Sequence, residues 1–157
     1  MKKIVLLIAI FLLVGCTKKI DRFYLNDIYY NNGEYIAMTS DELENIKNNS
    51  MIIYTYNNFC NLPIHCETIF KEFMDKYKID FISIPFSEFK KTEFYKEVDF
   101  APSVIIVNNG KIIDYLRSDS DNDYDKYQNA DVFKEWISKY IYLEKASSNK
   151  WVLLKKR

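Results

Sequence analysis

Met51-Ile52-Ile53-Tyr54-Thr55-Tyr56, followed without a gap by Asn57-Asn58-Phe59-Cys60-Asn61-Leu62-Pro63-Ile64-His65-Cys66, is the stretch that decides the fold. Its first six residues are mostly β-branched or aromatic and lack polar alternation, so they read as a buried strand. Asn57 to Pro63 reads as a loop. From about Ile64 to Lys78, the residues Cys66, Ile69, Phe70, Phe73 and Tyr77 recur at helical spacing and define one apolar face. A buried strand, a loop with one thiol and a helix with another therefore follow in direct succession.

The pattern extends outward on both sides. Upstream, Glu34 to Met38 reads as a short strand. Thr39 reads as a helix N-cap with Glu42 completing a capping box, and the helix runs to about Lys47 with Leu43 and Ile46 inward. Downstream, Asp80 to Ile84 is a strand closed by Pro85, and Ser87 to Lys96 a short helix with Phe89 and Phe94 inward. Ser103 to Val107 and Lys111 to Leu116 are strands joined by Asn108-Asn109-Gly110, because Asn-Gly supplies the positive φ values of a tight hairpin. Asp119 to Asp125 reads as an acidic surface loop. Ala130 to Tyr142 reads as a last helix with Phe133, Trp136, Ile137 and Tyr140 on one side. Strands separated by helices imply right-handed crossovers and a parallel core, with the late hairpin as an antiparallel edge. The class is α/β.

Composition limits the rest. The chain has 157 residues, 48% hydrophobic and 17% aromatic, enough for one domain with a real core. Acids and bases balance at 22 each, so a nucleic-acid partner has no electrostatic support. Lys2 and Lys3 precede an unbroken apolar run from Ile4 to Val14, shorter than the roughly 20 residues of a membrane span. Such a run fits a signal peptide. It ends in Leu13-Val14-Gly15-Cys16, which resembles the lipobox of bacterial lipoproteins, in which the Cys is acylated and the chain cut before it. The expected organisation is a signal peptide over 1–15, a lipidated tether over 16–32, one domain over 33–143 and a basic tail over 144–157. The expected location is the outer side of the cell membrane, held by lipid on Cys16.

Setting Cys16 aside leaves Cys60 and Cys66. Exported chains live in an oxidising compartment, where paired cysteines form disulfides. A helix beginning right after Cys60 would separate the two Cα atoms by about 9 Å at 1.5 Å per residue, whereas a disulfide needs about 4.4–6.8 Å. Bridging therefore requires a later helix start. Pro63 favours one, since proline suits a first helical turn and the residue before it avoids helical angles. A free buried thiol at Cys66 is the alternative. His65, the only histidine, is a modulator candidate or a plain surface residue. Two thiols and one His are too few for zinc, and the Asp119–Asp125 run lacks the Gly and the final acid of a calcium loop. No metal and no cofactor is expected.

Over about Glu34 to Tyr142 the order of elements and two motifs resemble the thioredoxin fold. In that family a strand ends in a loop holding W-C-G-P-C, and a helix follows. A gapless match puts Phe59 at the Trp and Cys60 at the attacking Cys. Phe100-Ala101-Pro102-Ser103 resembles the family's cis-proline loop. The departures are Pro63 where the second Cys stands, Cys66 three residues later, and Tyr54 where many members have a buried Asp. Exported members, including the bacteriocin-transport accessory type, are the group it most resembles. The resemblance implies a thioredoxin-like three-layer sandwich with a central mixed sheet. It also implies a thiol–disulfide oxidoreductase acting as a monomer on thiols or disulfides of exported proteins and peptides. Cys60 would attack, Cys66 would resolve, and Phe59, Pro63, Ala101 and Pro102 would shape the substrate groove. The rival is a redox-inactive thioredoxin-like binding or accessory lipoprotein, favoured by the missing C-x-x-C and the missing Asp.

Overall fold

The computed structural model describes residues 21–57 and 62–146. Along these residues run β1 (Tyr35–Ala37), α1 (Ser40–Asn45), β2 (Met51–Tyr56), α2 (Cys66–Tyr77), β3 (Phe81–Pro85), α3 (Phe86–Phe89), β4 (Ser103–Asn108), β5 (Lys111–Tyr115), α4 (Tyr124–Gln128) and α5 (Ala130–Ile137). Two 3-10 turns, Asp27–Tyr29 and Glu93–Lys96, complete the set. The strands form one sheet in the order β1-β3-β2-β4-β5. β1 and β2 run parallel to β3, while β4 is antiparallel to β2 and β5 antiparallel to β4. This is the thioredoxin-like α/β sandwich expected from the sequence.

The apolar run of β2 is buried because helices cover both faces of the sheet. On one face α2 and α5 pack down: Phe70 meets Tyr54 edge-on at 5.2 Å, Phe73 lies 5.9 Å from Phe81, and Phe133 lies 4.9 Å from Phe70. Each such side chain, fully buried, contributes about 1.5–3 kcal/mol. α1 and α3 are tied together by the Ser40 hydroxyl, which donates to Glu88 at 2.9 Å. The capping box of Thr39 and Glu42 is present at the start of α1. At the hairpin Asn108 pairs with Lys111, and Asn109 and Gly110 take φ values of 48° and 78°. Those are the two positive angles of the tight turn that Asn-Gly favours.

Four expectations need correction. The helix expected from Ile64 starts at Cys66, with His65 as its N-cap. The helix expected over Ser87 to Lys96 is split into α3 and a 3-10 turn, because the Thr92 hydroxyl and amide both turn back to the Phe89 carbonyl. The acidic loop ends in α4, whose Tyr127 is fully buried. The last helix stops at Ile137, and its pattern continues to Tyr140 through tighter turns from Lys139 to Trp136 and from Tyr140 to Ile137.

The stretch read as a tether is also different where the structure describes it. Phe23 exchanges backbone hydrogen bonds with Tyr140 and Tyr142, Leu25 and Tyr29 are buried, and Tyr30 bridges Ile79. The Asp80 carboxylate accepts the amides of Asn32, Gly33 and Glu34 at 3.2, 2.7 and 2.9 Å. The folded domain thus begins near residue 23 and not at 33. No periodicity announces it, because the segment is held by single bridges with no strand or long helix. The signal peptide and Cys16 lie outside the described residues, as do 147–157 of the expected tail; Lys145 pairs with Asp27 at 3.3 Å.

Candidate thiol–disulfide site

Because β1, β2 and β3 are parallel, their carboxyl ends share one pole of the sheet. β4 starts there too, since Ser103 pairs with Thr55. The loop before β4 and the start of α2 therefore meet at this pole. The hairpin and the N-terminal segment occupy the other pole, where Asn26 and Ser50 exchange hydrogen bonds.

The loop before β4 carries a cis Ala101–Pro102 peptide bond. Four contacts fix it. Asn57, just past β2, donates its Nδ2 to the Ala101 carbonyl at 2.8 Å. The Ser103 hydroxyl donates to the Phe100 carbonyl at 2.8 Å, and the Arg117 guanidinium lies over the Phe100 ring at 5.1 Å. The Tyr127 hydroxyl is shared between the carbonyls of Pro102 and Leu116, both at 3.0 Å. Burial pushes the Tyr127 phenol well above its ordinary pKa, so it acts as a fixed donor. Ala101 and Pro102 are buried.

Cys66 is the first residue of α2, fully buried and disulfide-bonded. The chain's other cysteines, Cys16 and Cys60, lie outside the described residues, and so does Phe59. Pro63, Ile64 and His65 are exposed in the non-helical stretch ahead of Cys66. Gln128 clamps this stretch: its Oε1 accepts the Ile64 amide and its Nε2 donates to the Ile64 carbonyl, both at 2.9 Å. His65 makes no side-chain cap, and its Nδ1 stands 4.0 Å from Glu67 Oε2. Of the residues singled out in the sequence, the structure thus brings Pro63, His65, Cys66, Ala101 and Pro102 to one pole. Asn57, Tyr127 and Gln128 were missed, because a polar side chain that bonds a distant backbone leaves no pattern in its own neighbourhood.

Where α2 packs on β2 through Phe70, the sheet is aromatic. Tyr54 is buried between Phe70, Tyr35 and Tyr56, at ring distances of 5.2, 5.7 and 5.7 Å. Burial, then the nearby Glu67, raises the Tyr54 phenol, and burial likewise raises Tyr35. The Tyr35 and Thr55 hydroxyls are buried with no hydrogen-bond partner. In the acidic loop, Asp119 is held by Arg117 at 3.0 Å and Asp123 by Lys126 at 2.6 Å. A cleft of about 820 Å3 beside Lys47, Glu93 and Lys111 lies at the hairpin pole and holds no thiol.

The architecture defines the class as thioredoxin-like. No protein-family model and no curated protein matches the chain. Among solved structures, the crystal structure of a Schistosoma mansoni thioredoxin is similar, with 20% identity, a TM-score of 0.44, and coverage of 67% of this chain and 97% of that one.

Proposed function

We propose that this protein is a membrane-tethered, extracytoplasmic thiol–disulfide oxidoreductase acting on exported proteins through Cys60 and Cys66. The observation that carries the reading is a disulfide-bonded Cys66 at the first position of α2, at the same pole as the cis Ala101–Pro102 loop. In the oxidised protein a client thiolate attacks Cys60 and breaks its bond to Cys66, which leaves as a thiolate and takes up a proton. A second client thiol displaces Cys60, so two client thiols become one disulfide and the protein becomes a dithiol. Reduction of a client disulfide is the reverse. The amino end of α2 favours thiolate at this place. Phe59, Pro63, Ala101 and Pro102 form the groove, and His65 modulates the thiolate. Lipid on Cys16 holds the domain at the membrane, and attachment through residue 21 leaves the site at the far pole.

A redox-inactive accessory module is the second reading, favoured by Tyr54 in place of the acid and by the complete burial of Cys66. Turnover of insulin by the chain, compared with Cys60→Ser, separates the two. The oxidoreductase loses at least a hundredfold; equal rates sink the enzyme reading. The anchor is checked by labelled palmitate, which Cys16→Ser fails to incorporate.

A further inference from the structure

We propose that Gln128 is a positioning residue that stabilises the oxidised state of the Cys66 disulfide by keeping Ile64 out of helix α2. The inference rests on the pairing of Cys60 with Cys66 in the proposed function.

The apolar pattern and Pro63 favour a helix start near Ile64, yet the helix starts at Cys66. In a helix extended by one turn the Ile64 carbonyl would accept the Thr68 amide. Instead that amide goes to His65 O at 2.9 Å, and the Ile64 carbonyl goes to Gln128. The Ile64 amide is also taken by Gln128. Both backbone groups of this residue are thus held in a non-helical arrangement by one carboxamide. Only helix growth past Ile64 toward Cys60 would stretch the span between the two cysteines toward the roughly 9 Å of a continuous helix, beyond the reach of a disulfide, and a clamp on Ile64 stops that growth at its first turn. The clamp therefore favours the bonded state.

The mount of the clamp matters as much as its hydrogen bonds. Gln128 closes α4, and its neighbour Tyr127 is buried with its hydroxyl on the Pro102 carbonyl. Gln128 Nε2 also reaches the Tyr127 carbonyl at 2.9 Å. Two consecutive residues thus grip the two walls of the site. Asn129 then caps α5 by accepting the amides of Asp131 and Val132. The clamp is carried on a fixed element and not on a free loop.

The chemical readout is exchange with glutathione. Two glutathione thiols give up two protons and two electrons; the Cys60–Cys66 bond breaks, glutathione disulfide forms, and the protons end on the two protein sulfurs. The full chain carrying Cys16→Ser, kept in detergent so that only two thiols remain, is equilibrated with glutathione buffers and its free thiols are counted by maleimide mass tagging. Gln128→Ala raises the equilibrium constant for reduction about tenfold, equal to about 30 mV for this two-electron couple. Gln128→Glu keeps the acceptor for the Ile64 amide, loses the donor, and falls between wild type and alanine. The melting temperature of each variant, measured alongside, moves by only a few degrees because Gln128 is partly exposed. Equal constants for wild type and Gln128→Ala, whether or not the melting temperature moves, overturn the proposal. Two free thiols in the oxidised sample overturn both it and the proposed function. A shifted constant with no insulin turnover sinks the enzyme reading and sustains the clamp.

Discussion

Gly33→Ala is a severe perturbation for a residue in a stretch that carries no pattern. Gly33 has φ +79°, and a Cβ there would lie 2.2 Å from the Met74 carbonyl oxygen, 2.6 Å from its carbon and 3.1 Å from the Asp75 amide nitrogen. These are backbone atoms of α2, so rotamer changes give no relief. The left-handed angle costs a non-glycine residue about 1–2 kcal/mol. Moving residue 33 away loosens the bonds from Asn32, Gly33 and Glu34 to Asp80, and losing one or two at a buried carboxylate costs about 1–3 kcal/mol each. With one such bond lost the sum is about 2–5 kcal/mol, a large share of a stability of about 5–15 kcal/mol. At about 3–5 °C per kcal/mol for a domain of this size, the melting temperature falls by about 6–25 °C. Circular dichroism of the two chains reads this directly. Lys71→Met, which removes side-chain bonds to the Gly33 carbonyl and to the exposed Asp75 carboxylate but leaves the backbone free of any clash, is the control and changes little. A fall of less than about 3 °C for Gly33→Ala refutes the argument that residues 23–34 belong to the folded domain.

Two further outcomes follow from the packing. Asp114→Ala removes the acceptor of both Trp136 Nε1 at 2.7 Å and Tyr140 OH at 2.6 Å, and so loosens the end of α5 and the turns after it from β5. The expected loss is about 2–3 kcal/mol, read as a lower urea midpoint at unchanged slope; a loss under about 0.5 kcal/mol counts against it. The Glu88 carboxyl is pulled from 4.5 to about 2, first by Lys91 and then by the Ser40 hydroxyl. A depressed carboxyl stabilises the fold above its unfolded pKa, and that contribution is lost as pH falls from about 4.5 through about 2. Melting temperatures at pH 6 and pH 3 therefore drop less for Glu88→Gln than for wild type, and equal drops refute the linkage.

How much could be read in the sequence depended on the range of the interaction. The β2 run, the Thr39 and Glu42 box and the Asn109-Gly110 turn are decided by neighbours in the chain, and all three are present where the pattern places them. The ends of α2, α3 and α5 are decided elsewhere. Gln128 holds Ile64 across 64 positions, Thr92 ends α3 by back-bonding, and Tyr140 is drawn to Asp114. Residues 23–34 were unreadable because their partners, Ile141 and the adjacent Ile79 and Asp80, come from two distant segments. Within the candidate site, residue types were legible at Pro63, Cys66, Ala101 and Pro102, whereas the brackets that aim them were not.

Tyr54 leaves no place for a buried acid under α2. Its ring is part of the core, contacting Phe70, Tyr35 and Tyr56, and it covers the sheet under the face of α2 that carries Cys66. An Asp in its place would leave a cavity where the ring had been and bury a carboxylate among aromatic side chains, both strongly unfavourable. The phenol itself is no substitute as a base, since burial moves its pKa upward. Proton exchange with a Cys66 thiolate, in the proposed reaction, must then come from the loop side and not through the sheet. His65 stands there, exposed and adjacent in sequence to Cys66, and its ring nitrogens can both donate and accept hydrogen bonds. The aromatic floor and the exposed N-cap are thus one arrangement: the sheet closes the site from below, and in the proposed reaction protons would pass on the side from which a client would approach.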